Sequence, residues 1–381
     1  MQRKIRMGMV GGGRGAFIGA VHRMAAALDG EIELVCGAFS SDPEKSRLSG
    51  EDLMLPPERC YGSFQEMIQK EKRRKDKMDI VSIVTPNHVH FAPAKMALEN
   101  GFDVICDKPV SFSLAEAKKL KQIIEKTGRT FALTHTYTGY PMVKEAREMC
   151  KNGVLGTIRK VMVEYPQGWL NDFIEGASKQ ASWRTDPSKS GIAGAVGDIG
   201  THAENLAETI TGLHITELCA DVSIMVDGRL LDDDANVLIH FNNGAKGVLS
   251  CSQIANGDEN NLNIRVYGDK GSIEWHQMEP NTLLHKNQYE STRIIRTGVG
   301  TQSDMAKAHI RVPAGHPEGY LEAFANIYRN FARTVRKRMN GEEPNQFDLD
   351  FPTIEEGIRG MSFIDAVIAS GKSKQKWVAV K

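Results

Sequence analysis

The sequence predicts an α/β protein in two parts: a parallel sheet with crossover helices, then an α+β region with a large, open, mainly antiparallel sheet. In the first third of the chain, short apolar runs alternate with amphipathic stretches, which is typical of parallel strands joined by right-handed helical crossovers. Beyond Gly212 the chain consists of successive strand patterns separated by hairpin turns. The 381 residues allow two or three domains at roughly 150 residues each. We therefore predict a first domain of residues 1–136 and a second of residues 137–381.

Composition excludes several classes of protein. The 48 Lys and Arg residues balance 48 Asp and Glu residues, so no net charge draws the chain to nucleic acid or to an anionic membrane. No apolar run reaches the roughly 20 residues of a transmembrane helix. Unlike a signal peptide, the basic start at Met1 precedes an apolar stretch that Gly11 to Arg14 interrupt. The six scattered cysteines lack a Cys-x-x-Cys pair and indicate thiols in a reducing compartment, so we expect a cytoplasmic protein.

Each element of the first domain is predicted by its apolar spacing and its boundary residues. Apolar runs predict strands at residues 5–10, 32–39, 80–85, 103–106 and 130–134. Helical spacing predicts helices at residues 17–28, 91–100 and 114–126. Asp42 followed by Pro43 indicates a further helix start, because an N-cap and a proline in the first turn favour one.

The pattern changes after about Tyr137. A helix at 141–152 and a strand at 158–165 precede an irregular stretch, rich in Gly, Ser and Trp, from 167 to 200. Further strands are predicted at 215–225, 236–241, 245–253, 261–267 and 272–276, and helices at 319–336 and 354–370. Antiparallel strands with one uncovered face suit pairing with a second copy, so we expect a homodimer or homotetramer.

The glycine-rich turn after the first strand predicts a dinucleotide site. The segment from Gly11 to Ala16 follows a strand and opens a helix in the pattern Gly-x-Gly-x-x-Ala. Gly11 permits a tight turn, Gly13 lets the backbone approach a pyrophosphate, and Ala16 allows close packing of helix on strand. The helix N-terminus offers unsatisfied N–H groups and the positive end of its dipole. The predicted contacts here are Gly11, Gly13, Gly15, Ala16, Phe17 and Ile18.

The end of the second strand leaves the choice between NAD and NADP open. An acid at this position binds the ribose hydroxyls of NAD, whereas a small or basic residue suits NADP. The strand ends at Ser40 and Ser41, whose hydroxyls can bond to either group. The nearby Asp42 is explained at least equally well as a helix cap.

Two segments follow the next strands at the same edge of the sheet, where ligands bind. The first runs from Thr85 to His90 and suits cofactor contact or helix capping. His88 and His90 lack a third clustered ligand, so we predict no metal site. The second is Asp107-Lys108-Pro109, whose lysine is either an exposed loop residue or a cation beside the nicotinamide and the substrate hydroxyl.

A third segment, from Gly197 to His202, carries a carboxylate and an imidazole. If a helix opens near Asp198, that residue and His202 are four apart and share one face. A carboxylate beside an imidazole fixes its tautomer and favours proton abstraction from a hydroxyl. The alternative is that Asp198 caps the helix while His202 packs against Leu206.

Together these residues resemble the glucose–fructose oxidoreductase/inositol dehydrogenase (Gfo/Idh/MocA) family. The resemblance covers essentially the whole chain through four motifs in order: the glycine-rich turn, Thr-Pro-Asn-x-x-His at 85–90, Lys-Pro at 108–109 and Asp-x-x-x-His at 198–202. It implies an N-terminal Rossmann domain that binds NAD or NADP. It also implies a C-terminal domain whose open sheet supplies the substrate site and the oligomer contacts.

The resemblance assigns roles residue by residue. Lys108 matches the catalytic lysine, His202 the base, Asp198 its polar partner at the substrate, and Trp183-Arg184 a pair beside the nicotinamide. The cofactor contacts expected outside the glycine turn are Ser40, Thr85, Pro86, Asn87, His90, Asp107, Lys108, Trp183 and Arg184. The substrate contacts expected are Lys108, Tyr137, Tyr165, Asp198, His202 and His316.

The chain departs from the family pattern at two places. Asp107 stands where Glu-Lys-Pro is usual, which keeps the charge on a shorter side chain. The segment from Tyr137 to Tyr140 replaces a common aromatic-x-Arg, so the motif assigns no particular substrate. For His316, a structural role in its loop is the alternative to substrate contact.

The implied reaction moves a hydride between a secondary alcohol of a sugar, cyclitol or glycoside and the nicotinamide. His202, directly or with Lys108, accepts the hydroxyl proton, and the charge of Lys108 stabilises the developing alkoxide. One alternative is an NAD-dependent glycosidase that works by transient oxidation and elimination. The other is a non-catalytic dinucleotide-binding regulator, whose expected signature is a lost Lys or His.

Overall fold

The computed structural model describes residues 3–380; Met1 and Gln2, at the start of the basic N-terminal stretch, and Lys381 lie outside the described range. The chain forms two units. The first is Met1–Thr136 with Leu321–Ile358, and the second is Tyr137–Tyr320 with Arg359–Lys381. The division departs from the predicted second domain, residues 137–381, because Leu321–Ile358 packs with the first unit. No helix among residues 3–380 is long and apolar enough to cross a membrane.

The first unit is built on a parallel sheet. Its strands are β1 (Ile5–Gly11), β2 (Ile32–Ala38), β3 (Ile80–Val84), β4 (Asp103–Cys106) and β5 (Phe131–Leu133). They pair in the order β2-β1-β3-β4-β5, and every pair is parallel. The sequence between them forms α1 (Phe17–Leu28), α2 (Pro43–Asp52), α3 (Phe64–Glu71), α4 (Phe91–Glu99) and α5 (Leu114–Thr127). All five residues of β3 are buried, as expected for a central parallel strand covered on both faces.

The strand order places a ligand crevice within this unit. The chain passes from β1 outward to β2 and then crosses back to β3 on the other side of β1. Such a reversal is the topological switch point of an open parallel sheet, where ligands bind beyond the carboxyl ends of the strands. The segments that follow β1, β3 and β4 therefore meet at one edge, as the sequence predicts. This arrangement is the predicted Rossmann fold.

The second unit is built on a mixed sheet of nine strands among the described residues. These are β6 (Ile158–Pro166), β7 (Ile215–Ser223), β8 (Asp234–Phe241), β9 (Lys246–Ser252), β10 (Asn263–Gly268), β11 (Ser272–His276), β12 (Thr282–Lys286), β13 (Arg293–Arg296) and β14 (Trp377–Ala379). Their order is β13-β12-β11-β10-β6-β9-β8-β7-β14. Among these nine described strands, β6 and β9 are the one pair that runs parallel, so the predicted large, mainly antiparallel sheet is confirmed.

The remaining helices are α6 (Pro141–Lys151), α7 (Lys179–Arg184), α8 (Pro187–Ser190), α9 (Thr201–Thr211), α10 (Asp304–Lys307), α11 (Tyr320–Met339) and α12 (Ile354–Lys372). Helix α9 packs against β6, β9 and β10. Along β8 the side chains alternate strictly, with Val237 and Ile239 buried and Leu238 half exposed. One face of this sheet is therefore packed and the other is open, in keeping with the period of two in its strands.

Candidate functional site

The glycine-rich turn between β1 and α1 has the backbone conformation that its glycines predict. Gly11, Gly12 and Gly15 have φ values of +85°, +73° and +74°, which side-chain-bearing residues rarely adopt. A Cβ on Gly13 would lie 2.6 Å from Ser49 Oγ, so this position has no room for a side chain. The close approach of α1 to the strand is made by Gly12 and Gly19, because a Cβ on Gly19 would lie 2.3 Å from Gly12 Cα.

The start of α1 fits a dinucleotide pyrophosphate. The helix begins after Ala16, whose side chain offers no cap, and its first turn holds no acidic residue. The N–H groups of the first turn, at the positive end of the dipole, are the donors that a phosphate needs. Phe17 is 62% exposed, so the turn opens at the surface of this unit.

At the end of β2, Asp42 acts as a helix cap. Its Oδ1 accepts from the N–H groups of Glu44 at 3.0 Å and Lys45 at 3.3 Å. The Oγ of Ser40 accepts from Asp42 N at 3.2 Å. The carboxylate of Asp42 is thus held by α2, in agreement with the capping alternative.

The segment after β3 is tied to the segment after β4 by a histidine. His90 is completely buried, and its Nδ1 lies 2.7 Å from Pro109 O while its Nε2 lies 2.8 Å from Thr85 O. Burial lowers the pKa of this imidazole. His90 therefore links the two loops, and its ring faces the protein on both sides. Among residues 3–380, no three His, Cys, Asp or Glu side chains form a group that suits a metal ion.

Asp107 fixes the backbone at Lys108. Its Oδ1 accepts from Lys108 N at 2.8 Å and from Thr134 Oγ1 at 3.0 Å. Burial alone would raise the pKa of Asp107, but His22 and the charges of Lys108 and His90 outweigh it and hold that pKa well below its ordinary value. The carboxylate is therefore ionised at neutral pH. The Lys108–Pro109 peptide bond is cis.

In the second unit, a buried aspartate fixes the turn that carries Asp198. Residues Val196–Gly200 form a π-helical turn that leads directly into α9, and such turns recur at functional sites. Asp232 accepts from Gly194 N at 2.6 Å and from Val196 N at 2.8 Å. The predicted helix start near Asp198 is confirmed, although its first turn is wider than an α-helical turn.

Asp198 forms a charge-paired cluster. Its Oδ2 accepts from Arg184 Nε at 3.2 Å and from Gln253 Nε2 at 2.9 Å. The Arg184 guanidinium lies over the Trp183 ring, 4.3 Å from its centroid, and 5.9 Å from that of Trp169. The structure thus brings together Trp183, Arg184 and Asp198, for which the family resemblance implies contacts with the cofactor and the substrate.

A second cluster in this unit surrounds the His202 imidazole. The Tyr137 ring lies edge-on to it at 4.8 Å between centroids, and the Tyr165 ring lies at 6.3 Å. The two tyrosine hydroxyls bond to each other. Asn260 Oδ1 accepts from the Tyr165 hydroxyl at 2.6 Å, and Asn260 Nδ2 donates to the Tyr137 hydroxyl at 3.0 Å. Burial raises the pKa of both phenols, so they remain neutral.

His316 lies in an exposed loop. Its Nδ1 is 3.1 Å from Pro313 O, a contact within the loop itself. This contact supports the structural alternative for His316.

Five polar residues that shape these regions are absent from the predicted set: His22, Thr134, Asp232, Gln253 and Asn260. His22 is buried inside α1 among residues predicted only to pack. Gln253 ends one predicted strand and Asn260 directly precedes the next, and neither residue carries a motif. A polar residue at a strand boundary is the one sequence signal that marks them.

Comparison with known proteins gives the same fold and family. The chain matches the family model described as an oxidoreductase family with an NAD-binding Rossmann fold over residues 5–135. It matches the GFO/IDH/MocA C-terminal domain over residues 143–274. It is also similar to an uncharacterized oxidoreductase, YfiI, of Bacillus subtilis (strain 168), with 36% identity over 385 residues, 100% of this chain and 98% of that protein.

Solved structures resemble the chain over its full length. An inositol dehydrogenase homologue from Azotobacter vinelandii, complexed with NAD+, has a TM-score of 0.95 at 34% identity and covers 100% of this chain and 98% of its own. A structure of such a homologue from that organism, with NADH and myo-inositol, has a TM-score of 0.92 at 34% identity, with the same coverage. An oxidoreductase from Sinorhizobium meliloti is 47% identical, with a TM-score of 0.89 over 99% of this chain and 100% of its own. The chain belongs to the GFO/IDH/MocA family of NAD-binding oxidoreductases.

Proposed function

We propose that this protein is an NAD(P)-dependent dehydrogenase whose substrate is a neutral polyol, namely a sugar, cyclitol or glycoside with a secondary alcohol. The observation that carries this proposal is the pair of clusters around Asp198 and His202. The single carboxylate of the Asp198 cluster is neutralised by Arg184, and the His202 cluster consists of neutral phenols and amides. Such groups bind hydroxyls through hydrogen bonds and offer flat ring faces to a sugar, but add no net charge to attract a phosphate or carboxylate.

The relatives support the same class of substrate. A homologue from Azotobacter vinelandii, 34% identical to this chain, has been solved with NADH and myo-inositol. Both the Lys and the His expected to be lost in a regulator are present as Lys108 and His202.

In the proposed reaction, the nicotinamide supplies hydride transfer, and the residues of the chain manage the proton and the charge. His202 accepts the hydroxyl proton, alone or with Lys108. Lys108 stabilises the developing alkoxide by its positive charge, and Asp198 accepts from a substrate hydroxyl. A positioned acid–base group contributes about 10²–10⁴-fold to such a reaction. The first turn of α1 and the backbone of the preceding turn at Gly13 would hold the pyrophosphate.

The experiment that tests the proposal is an absorbance assay of nicotinamide reduction. The purified protein is mixed with NAD+ or NADP+ and, separately, myo-inositol, other inositols, aldoses, levoglucosan and glycosides. We expect reduction with at least one neutral polyol, and the faster dinucleotide defines the cofactor preference. Silence with every polyol, combined with glycoside hydrolysis that consumes no cofactor, would overturn the dehydrogenase in favour of the glycosidase.

We also propose that the enzyme is a homodimer or homotetramer formed through the open face of the nine-stranded sheet. Met162, Val248 and Leu238 are opposite one another on β6, β9 and β8, so they form an apolar row across that face. Leu238 is 50% exposed. We expect sedimentation velocity at micromolar concentration to give a dimer or tetramer, and Leu238→Glu to dissociate it; a monomeric parent protein would contradict the proposal.

The cysteines, none of which forms a disulfide among the described residues, suit a cytoplasmic location.

A further inference from the structure

A chain of buried polar side chains in the first unit leads to the residue before Lys108. Ser82 Oγ lies 2.8 Å from the Tyr328 hydroxyl, which lies 2.7 Å from His22 Nδ1. On the other side of the ring, His22 Nε2 lies 3.8 Å from Asp107 Oδ2. Ser82, Tyr328 and His22 are each 0% exposed. This polar chain therefore joins β3, α11 and α1 to the end of β4, entirely within the first unit.

The carboxylate sets the direction of this chain. Asp107 Oδ2 lies 3.8 Å from His22 Nε2, beyond hydrogen-bond distance, but the negative charge of this carboxylate at that distance favours a proton on Nε2. With Nε2 as the donor nitrogen, Nδ1 accepts from the Tyr328 hydroxyl, and the Tyr328 oxygen accepts from Ser82. Every donor thus points toward Asp107. Hydrogen bonds aligned in this way polarise one another in a buried environment.

Packing alone does not account for these residues. Burial of a hydroxyl or an imidazole costs free energy unless a partner satisfies it, and apolar side chains of similar size would fill the same space. His22 also packs edge-on against Phe324, 4.6 Å between centroids, which holds its ring in one orientation. The polar chain ends at the carboxylate that holds the Lys108 N–H and the Thr134 hydroxyl.

We propose that His22 is a positioning residue: with Tyr328 behind it, it keeps Asp107 in the one orientation that fixes the backbone at Lys108. This inference rests on the proposed function, in which Lys108 acts on the substrate hydroxyl. The ring acts through Asp107 and touches neither substrate nor cofactor.

The test uses three replacements that separate the two ring nitrogens. His22→Gln can present an amide N–H near the Nε2 position, His22→Asn retains a polar atom near Nδ1 only, and His22→Leu removes both. We expect His22→Leu and His22→Asn to lower kcat by about 10–100-fold, the usual effect of losing a group that orients an active residue. His22→Gln should recover most of that loss. KM for the best polyol of the panel and the NADH dissociation constant, measured by fluorescence, should stay within about twofold.

Tyr61→Phe is the matched control. Tyr61 is also a buried tyrosine of the first unit, and it donates to Glu71 Oε1 at 2.8 Å outside the polar chain. Tyr61→Phe therefore removes one buried hydroxyl, as Tyr328→Phe does. We expect kcat to fall in Tyr328→Phe and to stay at the parent value in Tyr61→Phe. Equal losses of kcat in both variants would mean that the polar chain contributes only to stability, and would overturn the proposal.

A second readout needs no turnover. Competitive acetylation with acetic anhydride, followed by peptide mass spectrometry, gives the reactivity of Lys108 relative to the exposed Lys75. We expect His22→Leu to change this ratio by at least about threefold, because the lysine samples new orientations, and His22→Gln and Tyr61→Phe to leave it unchanged. An unchanged ratio in folded His22→Leu overturns the positioning role.

The two proposals fail in different ways. If Lys108→Met abolishes turnover while His22→Leu is fully active, the positioning role is wrong and the proposed function stands. If Lys108→Met is as active as the parent protein, the catalytic role of Lys108 is wrong. In that case the acetylation ratio alone decides whether His22 controls the lysine.

Discussion

The two candidate ligand regions are built from different parts of the chain. In the first unit, the glycine-rich turn presents backbone groups, and its shape depends on contacts such as Gly12 with Gly19 that allow no side chain. In the second unit, the cluster around His202 presents side chains from separate segments, joined by the amide of Asn260. A backbone site tolerates few substitutions because each one alters the main chain. A side-chain site can change its hydrogen-bonding pattern one residue at a time, which suits the part of an enzyme that selects a substrate.

The largest expected effect comes from the charge at the end of β4. Lys108→Met should lower kcat by about 10²–10⁴-fold, because both the acid–base group and the positive charge are lost. NADH binding, measured by fluorescence, should weaken far less than kcat falls, because Lys108 is only one of many expected cofactor contacts. Lys108→Arg keeps the positive charge but loses the proton transfer, so its kcat should lie between that of the parent protein and that of Lys108→Met. Full activity in Lys108→Met would show that the second unit carries the chemistry alone.

The backbone site should be the more sensitive to a single methyl group. In Gly19→Ala the added Cβ meets Gly12 Cα at 2.3 Å, so we expect the free energy of unfolding of the first unit to fall by about 1–3 kcal/mol. NADH affinity should fall with it, because the same contact shapes the turn. Gly176→Ala is the control, since a Cβ there meets nothing within 4 Å. Thermal unfolding followed by circular dichroism measures the stability of both variants, and NADH fluorescence measures their affinity. Equal stability of the two variants would contradict the steric argument.

The side-chain site should instead change substrate selection. Asn260→Leu removes the group that holds both tyrosine hydroxyls, so we expect KM for the preferred polyol to rise by about tenfold, the equivalent of one lost hydrogen bond to substrate or scaffold. NADH affinity should stay close to the parent value, whereas the thermal midpoint should fall slightly, because two buried tyrosine hydroxyls lose a hydrogen-bond partner. Steady-state kinetics with the polyol panel measures the change. A loss of NADH binding in Asn260→Leu would mean that the two regions are not separable in function.

The smallest effect is expected at the rim of the backbone site. Arg14 pairs with Asp52 through its Nε at 2.5 Å, but both side chains are about half exposed, at 44% and 51%. Arg14→Gln should therefore change the free energy of unfolding by less than about 1 kcal/mol, the usual range for exposed ion pairs. Urea unfolding measures this change. A larger loss would show that the Arg14 side chain stabilises the turn beyond this ion pair.

The same contrast explains how much the sequence could predict. Helix α1 and strands β4 and β11 have the predicted bounds, because local spacing and boundary residues determine them. Asp42 caps α2 through contacts two and three residues away, which local sequence also encodes.

Features that depend on contacts between residues far apart in the chain could not be predicted from the sequence. Strands β12, β13 and β14 were not predicted, because β13 is a four-residue edge strand with exposed Arg293 and Ile294, and β14 pairs with β7 across more than 150 residues of chain. Asn260 and His22 meet their partners only after the chain has folded: His22 lies 306 residues from Tyr328. No period or motif marks such a pair.

The discontinuous first unit has a consequence for how the protein is made. Helix α11 returns to this unit after the whole segment Tyr137–Tyr320, and Glu31 binds both Arg333 and Arg336 of that helix, at 2.8 and 2.6 Å. As the chain leaves the ribosome, residues up to Thr136 emerge long before the helix that covers His22 and Ser82. The nascent N-terminal segment must therefore wait for nearly 200 more residues, roughly 10–40 s of synthesis at about 5–20 residues per second, before it can close its interior. During that interval the apolar surface that α11 later covers is exposed, and a chaperone can bind it.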